Sequence, residues 1–124
     1  MKEYELGREG EQQARIILSE MGFMVQSPDW LGRRDKEWIC FEIKKKERFL
    51  APPFDGHGLD IRQIKLRTEL LNDTGIRTYL MIFEVPTNKI WGQFLDILES
   101  SESFLTQTGK IKIYPLKNYD ELRT

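Results

Sequence analysis

The sequence predicts an α/β domain in which a mixed β-sheet is flanked by helices. Two segments carry apolar residues at helical spacing, one near the beginning of the chain and one in its middle. Short β-prone segments lie between and after them, and the apolar run at 78–85 is typical of a central strand. With 124 residues the chain has the length of a single domain, predicted to span 1–124.

The first half of the chain predicts a helix, a short strand and a hairpin. A helix is predicted over 4–21 because an apolar stripe runs along it and Gly22, a common helix-ending residue, follows. A strand at 23–25 comes next. The hairpin after it has its turn at Asp35-Lys36 and a second strand over 37–45. The helical stripe consists of Ala14, Ile17, Leu18 and Met21.

The second half of the chain predicts one more long helix and several strands. Prolines and glycines indicate a loop at 51–58. A helix is predicted over 59–72, and Gly75 lies just past its end. The remaining predicted elements are strands at 78–85, 89–94 and 111–114, a turn at 86–88, a short helix at 95–101 and a helical turn at 118–122.

The composition is that of an ordinary globular protein. Hydrophobic residues make up 40% and charged residues 31% of the chain, and no apolar run is long enough to span a membrane. The N-terminus lacks the basic-then-apolar pattern of a signal peptide. Cys40 is the sole cysteine, which excludes an intrachain disulfide and a cysteine-rich zinc site. We therefore expect a cytoplasmic protein without a membrane partner.

The distribution of charge permits a nucleic-acid partner. The formal net charge is −1, but between Arg33 and Arg67 there are ten Lys/Arg against six Asp/Glu. Contacts from such residues to phosphates are weak and do not read sequence. A solvated basic face would give the same pattern. The residues that we expect to contact phosphates are Lys45, Lys46, Arg48 and Arg62.

An acid and a lysine share one face of the predicted strand at 37–45. Side chains alternate along a strand, so Glu42 and Lys44 point away from the apolar residues between them. Asp29 lies at the base of the same hairpin. Two carboxylates can hold a hard divalent cation, and a nearby ammonium can stabilise a phosphate under attack. An exposed strand with an ion pair would also explain the Glu42–Lys44 spacing, but the strand's apolar face favours a functional site.

Two helical residues interrupt apolar stripes. Glu11 lies on the stripe of the first helix, where a glutamate is rarely buried without a partner. An acid that favours the helix dipole is the alternative explanation. Gln63 interrupts the stripe that Leu59, Leu66 and Leu70 form on the second helix. A core glutamine bonded to backbone is as good an explanation as an amide directed into the same cleft. His57, in the glycine-rich loop, receives no role, and Cys40 is a poor nucleophile candidate.

The ordered set of these residues resembles the PD-(D/E)xK nuclease superfamily. The elements are Gly7-x-x-Gly10-Glu11-x-x-Ala14, then Gly22-Phe23, then Pro28-Asp29, then Glu42-Ile43-Lys44. The segment from Phe49 to Leu66, with its Gln63-Ile64, resembles RecU-type Holliday-junction resolvases. Asp35 is a weaker match than Asp29 for the first metal acid, because it lies at the turn of the hairpin, far from Glu42.

The resemblance implies a restriction-endonuclease-like core and a Mg²⁺- or Mn²⁺-dependent DNA endonuclease, with a role in recombination or repair. Asp29, Glu42 and the carbonyl of Ile43 would bind the metal, and Lys44 would assist the attacking water. Glu11 would orient a water or a second ion, and Gln63 would position the lysine or a phosphate. The partner would be double-stranded or branched DNA, and a resolvase is expected to act as a homodimer.

Two other functions fit the same residues. The chain could be a non-catalytic DNA-binding or assembly module on a nuclease-like fold, which predicts salt-sensitive DNA binding without a metal requirement. It could also process RNA, because no residue pattern in the sequence discriminates DNA from RNA.

Overall fold

A computed structural model of the chain describes residues 3–26, 31–50 and 52–123. The strands are β1 (Glu3–Tyr4), β2 (Met24–Gln26), β3 (Leu31–Arg34), β4 (Glu37–Glu47), β5 (Gly56–Asp60), β6 (Arg77–Val85), β7 (Ile90–Phe94), β8 (Phe104–Leu105), β9 (Ile111–Pro115) and β10 (Asp120–Arg123). The helices are α1 (Gly7–Glu20), α2 (Ile61–Thr74) and α3 (Leu95–Glu99), and a single 3₁₀ turn covers Leu116–Asn118.

The main sheet is mixed and has β4 and β6 at its centre. Its strand order is β10-β7-β6-β4-β3-β2, and β1 pairs with β4 as well. β4 and β6 run parallel from Ile39↔Arg77 to Glu47↔Val85, whereas the other pairs in this sheet are antiparallel. Seven consecutive residues of β6 are buried, as expected for a strand covered on both faces.

The two faces of the main sheet carry separate apolar cores. On one face, α1 contributes Ala14, Ile17 and Leu18, which pack with Ile39 and Phe41 of β4. The opposite core contains Ile64 of α2 and Leu98 of α3, together with Leu80 of β6. Because side chains alternate along β4, its residues 40, 42, 44 and 46 belong to the α2 face.

Capping residues fix both ends of α2. The Asp60 side chain accepts a hydrogen bond from the backbone N–H of Arg62 at 2.8 Å, which satisfies one of the free donors at the helix start. Gly75 follows the helix with φ of 78°, a left-handed conformation that glycine adopts at little cost. Together these residues explain why the helix begins two residues later than the sequence predicts and ends just before Gly75.

A second, three-stranded sheet, which the sequence analysis missed, has the order β5-β9-β8. The predicted loop at 51–58 is wrong at its end, since 56–58 begin β5 and pair with β9. Gly56 permits this pairing, because a Cβ there would lie 1.9 Å from the carbonyl oxygen of Tyr114. The sequence therefore misleads here because glycines needed for close approach of two strands resemble those of a loop.

Two further elements differ from the prediction. Residues 120–123 form β10 beside β7, where a helical turn over 118–122 was expected. The first helix begins at Gly7 and not at residue 4, because Glu3 and Tyr4 pair with β4. The turn at Asp35-Lys36 is confirmed, and Asp35 has φ of 57°. Within the described part of the chain, no helix has the length and apolar character needed to cross a membrane.

Candidate active site

The α2 face of β4 carries a row of ionisable side chains. Glu42, Lys44 and Lys46 follow one another at alternate positions, and they point away from Ile39, Phe41 and Ile43. Glu42 is 8% exposed and Lys46 is 2% exposed. Charged groups of this kind are seldom buried without a partner. The partners of these three side chains therefore determine which of their atoms can bind a ligand.

Glu42 is held by Arg67 of α2. The Arg67 Nε donates to Glu42 Oε1 at 2.6 Å, and the second guanidinium nitrogen lies 2.5 Å from the same oxygen. The other carboxylate oxygen, Oε2, is 4.0 Å from the Lys44 ammonium. Arg67 thus fixes the orientation of Glu42 through one oxygen, and Oε2 has only this long contact within the described residues.

Lys44 and Lys46 share a carboxylate from β1. The Lys44 Nζ is 3.4 Å from Glu3 Oε1, and the Lys46 Nζ is 3.7 Å from Glu3 Oε2. The side chain of Lys44 is 15% exposed, whereas that of Glu3 is 49% exposed. No local pattern in the sequence predicts this contact, because Glu3 belongs to a two-residue strand far from Glu42 in sequence.

Lys46 is the most deeply buried cation of the row. Its ammonium donates to the carbonyl oxygen of Gly58 in β5 at 2.6 Å. Burial disfavours the charged form and lowers the pKa of Lys46 from 10.5 to about 8; the nearby Glu3 carboxylate opposes this effect, and Lys44 adds to it. Lys46 therefore remains mostly protonated at pH 7, at a cost in stability.

We expect the burial of Lys46 to make the free energy of unfolding rise with pH. Between about pH 8 and 10.5 the unfolded chain holds a proton that the folded chain has released, so deprotonation favours the folded state. The full change is about 3 kcal/mol at 1.36 kcal/mol per pH unit. Urea denaturation from pH 7 to 10 should show the free energy of unfolding of wild type rising relative to that of Lys46→Met.

The comparison with Lys46→Met is needed because buried tyrosines titrate in the opposite sense. Burial raises the pKa of Tyr79 to about 12, so its contribution to stability falls at alkaline pH in both proteins. A difference between the two proteins that stays constant over this pH range would contradict the assigned burial of the Lys46 charge.

Among the described residues, one side of β4 has no pairing strand beside Glu42. β6 pairs with one side of β4 along its length. On the other side, the described pairing with β3 reaches Cys40, and the pairing with β1 starts at Lys45. Within the described residues, no strand pairs with that side over 41–44. Asp29, the predicted first metal acid, lies outside the described residues. In sequence it precedes Leu31 by two positions, and Leu31 pairs with Cys40.

Glu11 is exposed, which corrects the expectation that it is buried on the apolar stripe. The reason is that α1 packs on the sheet from Ala14 onward, whereas its first turns border an open cavity of about 580 Å³ lined by Gly7, Gly10 and Gln13. α1 also covers the face of β4 opposite to Glu42. The structure therefore does not bring Glu11 together with Glu42 and Lys44.

Gln63 lies on the same side of α2 as Arg67, one turn earlier, and is half-buried. The predicted apolar stripe of this helix is wrong, because Leu66 is 59% exposed and Leu59 belongs to β5. Ile64 is the buried residue of α2, so its inner face contains Gln63, Ile64 and Arg67. This arrangement places Gln63 on the inner face of the helix that supplies the partner of Glu42.

The four basic residues that were expected to contact phosphates do not form one patch. Lys45 points to the α1 face, where it lines the cavity beside Gly7. Lys46 is buried, and Arg62 is 86% exposed in an ion pair with Asp60. Arg48 donates two hydrogen bonds to Glu84, at 2.8 and 3.0 Å.

Glu84 is the centre of a buried polar cluster that joins β6 to β5. Besides Arg48, its carboxylate contacts the His57 Nε2 at 2.8 Å and accepts a hydrogen bond from Thr87 at 2.5 Å. Burial alone would raise the pKa of Glu84, but these hydrogen bonds lower it to about 2. His57, to which the sequence analysis gave no role, is therefore a structural partner of Glu84, and burial lowers its pKa.

Removal of the Arg67 guanidinium should expose the cost of burying Glu42. We expect Arg67→Met to lower the free energy of unfolding by about 2 kcal/mol at pH 7, because a buried carboxylate loses its partner. The loss should be smaller in the Glu42→Gln background, so a double-mutant cycle should give a coupling of at least about 1 kcal/mol. Lys65→Met, on the exposed side of the same helix, is the control. Additive effects would show that Arg67 and Glu42 do not act as a pair.

The donor set for a divalent cation is incomplete within the described residues. In residues 3–26, 31–50 and 52–123, no three His, Cys, Asp or Glu side chains converge to hold a metal ion. Arg67 occupies Oε1 of Glu42, and the other carboxylate oxygen, Oε2, lies 4.0 Å from the Lys44 ammonium. Hard cations such as Mg²⁺ need only one or two protein carboxylates, with waters and substrate oxygens as further ligands. The residues fit such a cation if Asp29 supplies the second carboxylate.

Cys40 lies on the same face of β4 as Glu42, two positions before it. It is buried, and burial raises the pKa of its thiol. The thiolate, which is the reactive form, is therefore disfavoured at neutral pH. This agrees with the expectation from the sequence.

Comparison with solved structures identifies a similar fold. The chain resembles Hjc, a Holliday junction resolvase from the archaeal hyperthermophile Archaeoglobus fulgidus, with a TM-score of 0.59 and 15% sequence identity. The alignment covers 91% of this chain and 91% of Hjc. No protein-family model and no curated protein matches the sequence. The similarity confirms the predicted α/β class, with a mixed sheet flanked by helices.

Proposed function

We propose that this chain is a divalent-metal-dependent endonuclease that hydrolyses phosphodiester bonds in DNA, with branched DNA such as a Holliday junction as its substrate. The observation that carries the proposal is the position of Glu42 and Lys44, side by side on a central strand, in a fold shared with a Holliday junction resolvase. Burying charges has a cost in stability, and binding of a charged substrate is a reason to retain them.

Asp29, Glu42 and the backbone carbonyl of Ile43 would hold Mg²⁺ or Mn²⁺. The cation would neutralise charge on the phosphate and activate a water. Arg67 keeps Glu42 in one orientation through Oε1, which leaves Oε2 for the cation. A preorganised carboxylate of this kind loses little entropy when the cation binds.

Lys44 is the residue that we propose to act on the reacting phosphate. Its ammonium donates hydrogen bonds to the phosphate and attacking water, and it stabilises the negative charge that develops as the bond breaks. Gln63, on the inner face of α2, would position Lys44 or the phosphate through its amide. The predicted role of Glu11 stays a prediction that its exposed position does not support.

A cleavage assay on several substrates tests the proposal. We expect Mn²⁺ or Mg²⁺ to support cutting of a synthetic four-way junction, and chelation by EDTA to abolish it. Plasmid, single-stranded DNA and an RNA of the same sequence determine the substrate class in the same experiment. A failure to cut any DNA with either metal would contradict the proposal. Because a resolvase makes two incisions, we expect the active form to be a homodimer.

A non-catalytic DNA-binding module is the second candidate function. The observation that favours it is the ion pair of Glu42 with Arg67, which compensates the charge of this carboxylate without a metal. This function predicts that four-way junctions bind in EDTA as tightly as in Mn²⁺, with strong salt dependence and no cleavage. Metal-stimulated cleavage would exclude it.

A further inference from the structure

The Glu3 carboxylate bridges two lysine ammonium groups on the α2 face of β4. One of its oxygens is 3.4 Å from Lys44 Nζ and the other is 3.7 Å from Lys46 Nζ. A group with two negative oxygens is therefore already accommodated between the two cations. A phosphate presents the same kind of oxygens at similar spacing and carries at least the same charge.

Lys46 is not explained by the stability of the fold. Its ammonium has three donors, and one of them bonds the carbonyl oxygen of Gly58 at 2.6 Å. The distance to Glu3 is that of a loose ion pair, and the side chain is 2% exposed. An apolar residue at this position would avoid the cost of burying a charge. The position of Lys46 therefore favours an anionic ligand that its ammonium binds.

Glu3 can leave the lysines at small cost. β1 consists of two residues, both exposed, and it is held to β4 by the pairs Glu3↔Lys46 and Tyr4↔Lys45. Short strands with exposed residues open locally far more easily than the centre of a sheet. The half-exposed carboxylate of Glu3 also forms weak ion pairs, as surface carboxylates do.

We infer that Lys44 and Lys46 form a phosphate-binding site and that the Glu3 carboxylate occupies this site until a phosphate of the nucleic-acid backbone displaces it. The inference rests on the proposed function for the source of the phosphate, because it adds a second lysine and a displaceable acid to the Glu42–Lys44 site. Glu3 then acts as an internal competitor of the substrate. Its removal should strengthen phosphate binding without any new contact.

The test compares Glu3→Gln with Glu5→Gln, which removes the same charge from an exposed residue two positions away. Binding of inorganic phosphate is measured in EDTA through the NMR shifts of the lysine side chains. Binding of a duplex DNA is measured under the same conditions. We expect Glu3→Gln to bind both ligands about three- to fivefold more tightly than Glu5→Gln, the effect of one lost surface ion pair. In the double variant Glu3→Gln/Lys46→Met, this gain in affinity should be lost.

Two outcomes would overturn the inference. One is equal affinity of Glu3→Gln and Glu5→Gln for phosphate, and the other is a gain that persists without Lys46. An increase for inorganic phosphate but not for DNA would mean that the site takes free phosphate, which overturns the assignment to the nucleic-acid backbone. Failure of the proposed function can be told apart from failure of this inference. Cleavage by wild type with Mn²⁺ tests the proposed function, and phosphate binding in EDTA tests the inference.

Discussion

Glu42→Gln and Lys44→Ala should each reduce the rate of DNA cleavage by on the order of 10³-fold, while the affinity of Glu42→Gln for DNA in EDTA changes little. Each variant removes a group that the proposal places at the reacting phosphate, and loss of one such electrostatic contact typically costs about 10²- to 10³-fold in rate. The measurement is single-turnover cleavage of a four-way junction in Mn²⁺, with DNA binding followed separately by fluorescence anisotropy.

The controls for this prediction are Glu37→Gln and Lys36→Ala. Both residues are exposed on the same hairpin, away from the row of ionisable residues. We expect them to cut DNA within about twofold of wild type, since exposed charges on the surface contribute little. The circular dichroism spectrum of each variant separates loss of chemistry from loss of fold. Cleavage that survives both Glu42→Gln and Lys44→Ala would rule out the assigned site.

Glu84→Ala should lower the free energy of unfolding by about 3–5 kcal/mol at pH 7. The Glu84 side chain is fully buried, and its removal leaves Arg48, His57 and Thr87 without their shared acceptor. Because β5 carries His57 and β6 carries Glu84, the loss should weaken the junction between the two sheets. Urea denaturation of wild type and variant measures the change.

The same cluster should make the free energy of unfolding depend on pH in the acidic range. The pKa of Glu84 is about 2 in the folded chain and 4.5 without its partners, so the stabilisation is complete above about pH 4.5. It is lost as the pH falls through 2, and the total is about 3 kcal/mol at 1.36 kcal/mol per pH unit. Glu84→Gln should lack this dependence.

Glu102→Gln is the matched control for Glu84. Glu102 forms an ion pair with Lys117 at 2.6 Å, but both side chains are largely exposed. We expect its removal to cost less than about 0.5 kcal/mol. If Glu84→Ala destabilised the protein no more than Glu102→Gln does, the buried cluster would not hold the two sheets together.

The sequence predicts those parts of the fold that follow from local periodicity. Alternation along the predicted strand at 37–45 gives the faces of β4, and the apolar run at 78–85 gives β6. β5 was missed because Gly56 and Gly58, which a close approach to β9 requires, also signal a loop. β10 was missed because its short polar segment has no apolar alternation, and its pairing with β7 is a long-range effect.

Site residues are predictable to the extent that they share a strand. Glu42 and Lys44 were found because their spacing of two residues places them on one face. Glu3 and Arg67 meet them only through tertiary contacts, which no local pattern encodes. Glu84 had a usable signal, since a single acid stands within the apolar run of β6. Its partners His57 and Arg48 are separated from it by 27 and 36 positions.

Titration of Mn²⁺ by calorimetry into wild type, Asp29→Asn and Glu42→Gln tests most directly whether one metal site lies beside Glu42. We expect wild type to bind the ion and each substitution to weaken binding at least about tenfold, because each removes a charged oxygen ligand. Glu47→Gln, on the opposite face of β4, should bind as wild type does. No Mn²⁺ binding by wild type, or binding that neither Asp29→Asn nor Glu42→Gln weakens, would contradict a metal site beside Glu42.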